Sequence, residues 1–101
     1  MRIMKPEEAA WVGAMVEAEG SVFPNRTRWG DYWQVRVSNT DLEIISALFR
    51  ATGEGTVIYD NPTREHLGNK QQWLWCLSKQ AEVKSLAASC QDYCIKLRKV
   101  L

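Results

Sequence analysis

The spacing of apolar side chains changes several times along this chain, and each change marks an element. Residues 9–16 are almost wholly apolar or small, and Pro6, Glu7 and Glu8 stand just before them. Proline and carboxylates in that place belong to the first turn of a helix. The pattern predicts a helix to about Ala18 that stops at Gly20. Residues 21–28 read as a strand, and Pro24 within it points to an edge position or a bulge. Gly30 and Asp31 mark a turn. Residues 32–38 alternate cleanly, with Trp33, Val35 and Val37 on one side and Gln34, Arg36 and Ser38 on the other. That period of two is the mark of a half-buried strand.

Asn39, Thr40 and Asp41 then offer polar caps for a helix that carries Leu42, Ile45, Leu48 and Phe49 and ends before Gly53. Residues 56–59 read as a short strand and residues 61–70 as a polar loop with Pro62 and Gly68. Residues 71–78 read as a fourth strand, with Trp73, Trp75 and Leu77 on one face. A helix over 79–89 and a last, basic helix over 91–101 complete the chain. The order is α-β-β-α-β-β-α-α, an α+β class. It predicts one domain over residues 1–101, with a four-stranded antiparallel sheet and helices on one face. Trp33, Trp73 and Trp75 share the core-facing parity. The other face stays wet and carries arginines and amides, and a sheet of that kind can enter a DNA groove.

Composition narrows the class. The chain has 101 residues, 46% of them hydrophobic and 25% charged, which is ordinary for a folded domain and argues against disorder. Its longest apolar-or-glycine run, residues 9–16, is too short to span a bilayer. The N-terminus turns acidic where a signal peptide would become apolar. The expectation is an intracellular protein, cytoplasmic or organellar, with no membrane partner. The net charge is only +1. Its distribution says more: Arg26, Arg28 and Arg36 face only Asp31 in residues 25–36, residues 70–101 are basic, and residues 37–69 are acidic. One positive face with an acidic back is compatible with phosphate binding. Cys76, Cys90 and Cys94 give no closed disulfide framework. Cys90 and Cys94, four apart, read as small buried residues rather than metal ligands, with no CxxC and His66 far away in sequence.

The first helix holds the chemistry. Ala9, Gly13 and Glu17 form one i,i+4 row, and Ala10, Ala14 and Ala18 form its neighbour. Such a strip of small side chains lets a second helix approach closely. Gly13 costs about 1 kcal/mol in a helix interior relative to alanine, so a packing reason is expected. Two such helices about a twofold axis would bring Glu19 beside its mate. Paired carboxylates repel unless a cation lies between them, and hard divalent cations suit oxygen ligands.

The stretch Val12-Gly13-Ala14-Met15-Val16-Glu17-Ala18-Glu19-Gly20, followed by Ser21, resembles the motif of the LAGLIDADG homing endonucleases and maturases. Ala14 stands where that family usually has glycine, and both acidic positions hold glutamate. The likeness continues through residues 35–41, which resemble the family's second strand leading into its second helix. It extends through Gly53-Glu54-Gly55, residues 75–78 and the basic tail around Lys96.

The resemblance implies a homodimer that hydrolyses double-stranded DNA at a pseudo-palindromic site with Mg2+ or another divalent cation. It implies Glu19 and Ala18 as metal positions, and Glu19, Asn39 and Lys96 as catalytic ones. Asn39 is also readable as a helix cap, and Arg98 or Lys99 could replace Lys96. The DNA-facing set is Asn25, Thr27, Arg28, Gln34, Arg36 and Ser38. The dimer interface is Ala10, Gly13, Ala14 and Glu17, with Trp11 closing its outer end. A non-catalytic DNA- or RNA-binding protein, maturase-like or regulatory, is the alternative on the same scaffold. A small protein-interaction dimer is a third reading.

Overall fold

The computed structural model describes residues 1–60 and 71–101. The loop expected over residues 61–70, with His66, lies outside the described residues. The elements run α1 (Pro6–Glu19), β1 (Gly20–Thr27), β2 (Gly30–Asn39), α2 (Leu42–Thr52), β3 (Thr56–Asp60), β4 (Gln72–Leu77), α3 (Gln80–Cys90) and α4 (Ile95–Arg98). The strands form one antiparallel sheet in the order β1-β2-β4-β3. No described helix is long and apolar enough to cross a membrane.

α1 begins as the sequence predicts. Pro6 is at its start, and the Glu8 carboxylate accepts from the Lys5 backbone N–H at 3.0 Å and from Arg2 at 2.7 Å. The Arg2 guanidinium, then the Lys5 amide, hold the Glu8 carboxyl below its ordinary range. At the other end the helix passes into β1 with no loop. A side chain on Gly20 would lie 2.7 Å from the Val16 carbonyl and 3.2 Å from that of Arg36. Close approach is what requires glycine there. β1 is an edge strand, as Pro24 predicts, and Pro24 keeps its place opposite Trp33 with no bulge.

The first hairpin turn falls two residues earlier than expected. Arg28 and Trp29 form it, and Gly30 opens β2 at φ +115, where side-chain-bearing residues are strained. The predicted faces of β2 hold. Val22, Val35, Val37, Trp75 and Leu77 are buried beneath the helices with Val12, Val16, Ile45, Leu48, Val83, Leu86 and Leu97. Where β4 ends, the Gln80 amide continues the ladder: it accepts from the Trp33 N–H at 2.7 Å and donates to the Trp33 carbonyl at 2.9 Å.

Leu42 and Phe49 lie on the outer side of α2, and Ala51 and Thr52 join Ile45 and Leu48 inside. One expectation needs correction. The last helix is a single turn, because Cys94 is extended at φ −145, ψ 108 and breaks the chain between α3 and α4. Cys90 and Cys94 are therefore not on one helix. Burial, with Cys94 nearby, pushes the Cys90 thiol up to about 11, so it stays a neutral packing group.

Burial, followed by the adjacent Glu54 carboxylate, pushes the Glu82 carboxyl above its ordinary range; Lys79 at 3.9 Å acts the other way. A raised folded value means stability that is present at acid pH and lost as pH rises through that value. Glu82→Gln should flatten this dependence and leave the neutral-pH urea midpoint equal or higher. Urea unfolding from about pH 4 to pH 8 checks it. An equally steep fall in the variant would assign the loss to another group.

Candidate active site and nucleic-acid interface

α1 carries Glu19 as its last helical residue, exposed. A carboxylate there faces the negative end of the helix dipole, which helix stability alone does not favour. Lys96 arrives from α4, and its ammonium donates to the Gly20 carbonyl at 2.8 Å. Lys96 thus meets the end of α1, whereas the Arg98 guanidinium donates to the Gln91 carbonyl at 2.6 Å. Glu17 and Gly13 hold α4 in place. The Glu17 carboxylate accepts from the Ile95 N–H at 2.6 Å. A side chain on Gly13 would lie 2.7 Å from Tyr93 Cβ and 3.4 Å from Cys90 Cβ.

The two rows on α1 thus have different neighbours. Ala9 and Gly13 are buried against the chain's own core and Glu17 is tied to α4, while Ala14 and Ala18 are exposed and Ala10 half-buried. The expected interface residues thus divide: Gly13 and Glu17 pack within the chain, and Ala10 and Ala14 remain on its open side. Trp11, 37% exposed, lies on that side too.

Asn39 ends β2. Its Oδ1 accepts from the Asp41 N–H at 2.8 Å, and Asp41 in turn accepts from the Glu43 N–H at 2.9 Å. Asp41, not Asn39, is the cap of α2. Asn39 lies two residues beyond Val37, the partner of Gly20, so it stands at the same end of the molecule as Glu19.

Residues directly opposite in a ladder share a face. The open face is therefore laid out by register. Ser21, Arg36, Cys76 and Thr56 form one row across all four strands; Ser38, Leu74 and Ile58 form the next, and Gln72 and Asp60 the last. Phe23 with Gln34 and Asn25 with Tyr32 extend it toward the hairpin. Asn25 Nδ2 donates to Gln34 Oε1 at 3.1 Å, and Gln34 Nε2 donates to Cys76 Sγ at 2.9 Å, so the Gln34 amide is oriented before any ligand arrives. Thr27 and Arg28 are at the tip instead. The Thr27 hydroxyl accepts from the Trp29 N–H and donates to the Gly30 carbonyl, and the Arg28 guanidinium lies 5.0 Å from the Trp29 ring centre.

Glu19 meets this face in a depression of about 270 Å³ lined by Glu19, Ser21, Arg36, Ser38, Asp60, Gln72 and Leu74. Three of its polar members, Ser21, Asp60 and Gln72, are absent from the DNA-facing set read off the sequence. Ser21 follows the motif directly and was within reach. Asp60 and Gln72 flank the 61–70 segment, and only strand register places them. Among the described residues no group of three His, Cys, Asp or Glu side chains is poised for a metal. The oxygen donors near Glu19 suit a hard divalent cation.

The sequence matches no protein-family model and no curated protein. Solved structures do match. I-CvuI, a homing endonuclease in complex with its target, superposes with a TM-score of 0.71 at 16% identity, over 94% of this chain and 62% of that one. The archaeal intron-encoded homing endonuclease I-Vdi141I, complexed with DNA, gives 0.63 at 18% identity over 93% and 62%. I-TnaI gives 0.66 at 18% identity over 98% and 70%. The fold is that of the LAGLIDADG homing endonucleases. This chain spans less than two thirds of the length of I-CvuI.

Proposed function

We propose that this chain is a homing-type endonuclease for double-stranded DNA, acting as a homodimer with a divalent cation such as Mg2+. The carrying observation is the depression that joins Glu19, at the end of α1, to the arginine-bearing open face of the sheet. Similar structures bound to DNA, with Ca or Mg present in the two I-CvuI complexes, support the substrate class and the cation.

In this reading the open face binds the DNA and Glu19 lies against the phosphate backbone. Glu19 and the Ala18 position would hold the cation, and a bound cation would supply charge stabilisation at the phosphate and a more acidic water. Lys96, fixed on Gly20, places a positive charge beside the same backbone. Asn39 offers its remaining amide N–H groups at that end of the molecule. Asn25, Gln34, Arg36 and Ser38 read base edges, and Thr27 and Arg28 act at the hairpin tip. Incubation with the flanking genomic DNA, first with magnesium and then with calcium, tests the class. Cutting with magnesium alone supports it. Binding without cutting under either condition favours the non-catalytic DNA- or RNA-binding protein.

The dimer forms through the outer row of α1: Ala10, Ala14 and Ala18, with Trp11 beside it. Twofold symmetry gives a pseudo-palindromic target. Ala14→Leu should overpack this contact by about 1–3 kcal/mol, and sedimentation should show the variant shifting toward monomer. An unmodified protein that sediments as a monomer at micromolar concentration ends the idea.

A further inference from the structure

We infer that Asp60 selects a cytosine at one position of each DNA half-site, with Leu74 and Ile58 receiving the apolar edge of that base. The inference rests on the DNA-binding reading above and gives it a sequence preference.

Asp60 is the last residue of β3 and pairs with Gln72. Gln72, Leu74 and Cys76 alternate with buried Trp75 and Leu77, so Asp60 shares their open face. It is exposed, and it lines the same depression as Arg36.

A carboxylate is a costly choice on a surface that meets phosphate, since it repels the backbone at every sequence. It is acceptor-only, so it needs a donor from the groove. In the major groove the donors are cytosine N4 and adenine N6; guanine and the thymine oxygen present acceptors. Adenine places its N7 acceptor beside the N6 donor and so sets a like partner against a carboxylate. Cytosine places only its C5–H edge beside N4. That edge carries no hydrogen-bonding group, so an apolar neighbour leaves nothing unpaired there. Leu74 pairs with Ile58 one row away from Asp60, and Ile58 is 47% exposed. Arg36 supplies the opposite chemistry in the same depression, a donor fork that suits guanine O6 and N7. The depression therefore pairs a guanine reader with a cytosine reader.

The test is selection of the full-length chain on a library of DNA duplexes randomised across each half-site, in chelator, so that neither cleavage nor metal contributes. The wild type should hold one position in each half-site to cytosine. Asp60→Ala should lose roughly 5- to 150-fold of discrimination there and leave other positions unchanged. Asp60→Asn, which gains an N–H donor, should turn the same position toward adenine. Arg36→Ala should relax a guanine instead. An Asp60→Ala profile identical to the wild type, with binding evenly tighter across sequences, makes Asp60 a source of phosphate repulsion only. That outcome overturns the inference and leaves DNA binding standing. A wild type that selects no sequence and binds no duplex overturns both.

Discussion

Glu19→Gln should abolish cleavage and leave metal-free DNA binding unchanged or tighter. The amide keeps the size of the side chain and removes its charge. An anionic oxygen donor worth several kcal/mol of transition-state stabilisation disappears, which corresponds to a fall in rate on the order of 10³-fold or more. Binding follows a different sign. Glu19 is exposed at the end of α1 beside Ser21 and Arg36, where DNA phosphates approach in the proposed complex. Removing its charge relieves repulsion with the backbone and with the mate carboxylate. It also removes an acid from the negative end of a helix, which should raise stability slightly, by about 0.3–1 kcal/mol. Glu17→Gln makes the comparison. Its retained carbonyl oxygen can still accept from the Ile95 N–H, so α4 and Lys96 stay docked and cutting persists. A gel shift and a cleavage assay on the three proteins decide the matter. Wild-type cutting by Glu19→Gln makes the assignment wrong. If none of the three cuts a DNA that it binds, the non-catalytic reading takes over.

The parts of this fold that could be read from sequence are those where one chain segment carries its own periodicity. β2 is legible because Val35 and Val37 alternate with Gln34, Arg36 and Ser38, and both faces are as expected. Pro24 marked an edge strand because proline cannot donate to a ladder. The motif on α1 was legible as a strip of small residues, but its two rows were not separable. An i,i+4 row shows that something packs closely and does not show whether the neighbour is the same chain or another copy. The structure gives Gly13 to Tyr93 and leaves Ala14 open. The basic tail misled for a similar reason. Its composition suits a helix over 91–101, yet burial of both Cys94 and Leu97 accompanies an extended residue between α3 and α4. Asp60 was out of reach altogether, since its facing depends on the β3–β4 register across residues 61–70.

Gly13→Leu and Ala14→Leu should therefore fail in different ways, although the two positions are adjacent. Even the first carbon added to Gly13 falls 2.7 Å from Tyr93 Cβ and 3.4 Å from the Tyr93 backbone. Neither atom is the far end of a flexible side chain, so α1 must move away from the α3–α4 connection. The better helix propensity of leucine returns less than about 1 kcal/mol, and overpacking costs about 1–3 kcal/mol or more. For a domain of this size each kcal/mol lowers Tm by roughly 4–8 °C. The Gly13→Leu loss should be nearly the same at every protein concentration, because it is a loss within each chain. The same displacement shifts Ile95 and Lys96 from Glu17 and Gly20, so any protein that remains folded should bind DNA and cut it poorly. Ala14→Leu adds bulk to an exposed position. It should leave the chain's own packing intact and weaken association, so its Tm deficit should shrink as concentration rises and mass action restores the dimer. Melting curves across a hundredfold concentration range separate the two. Parallel, concentration-dependent losses for both variants would place Gly13 in the interface after all and remove Tyr93 as its neighbour.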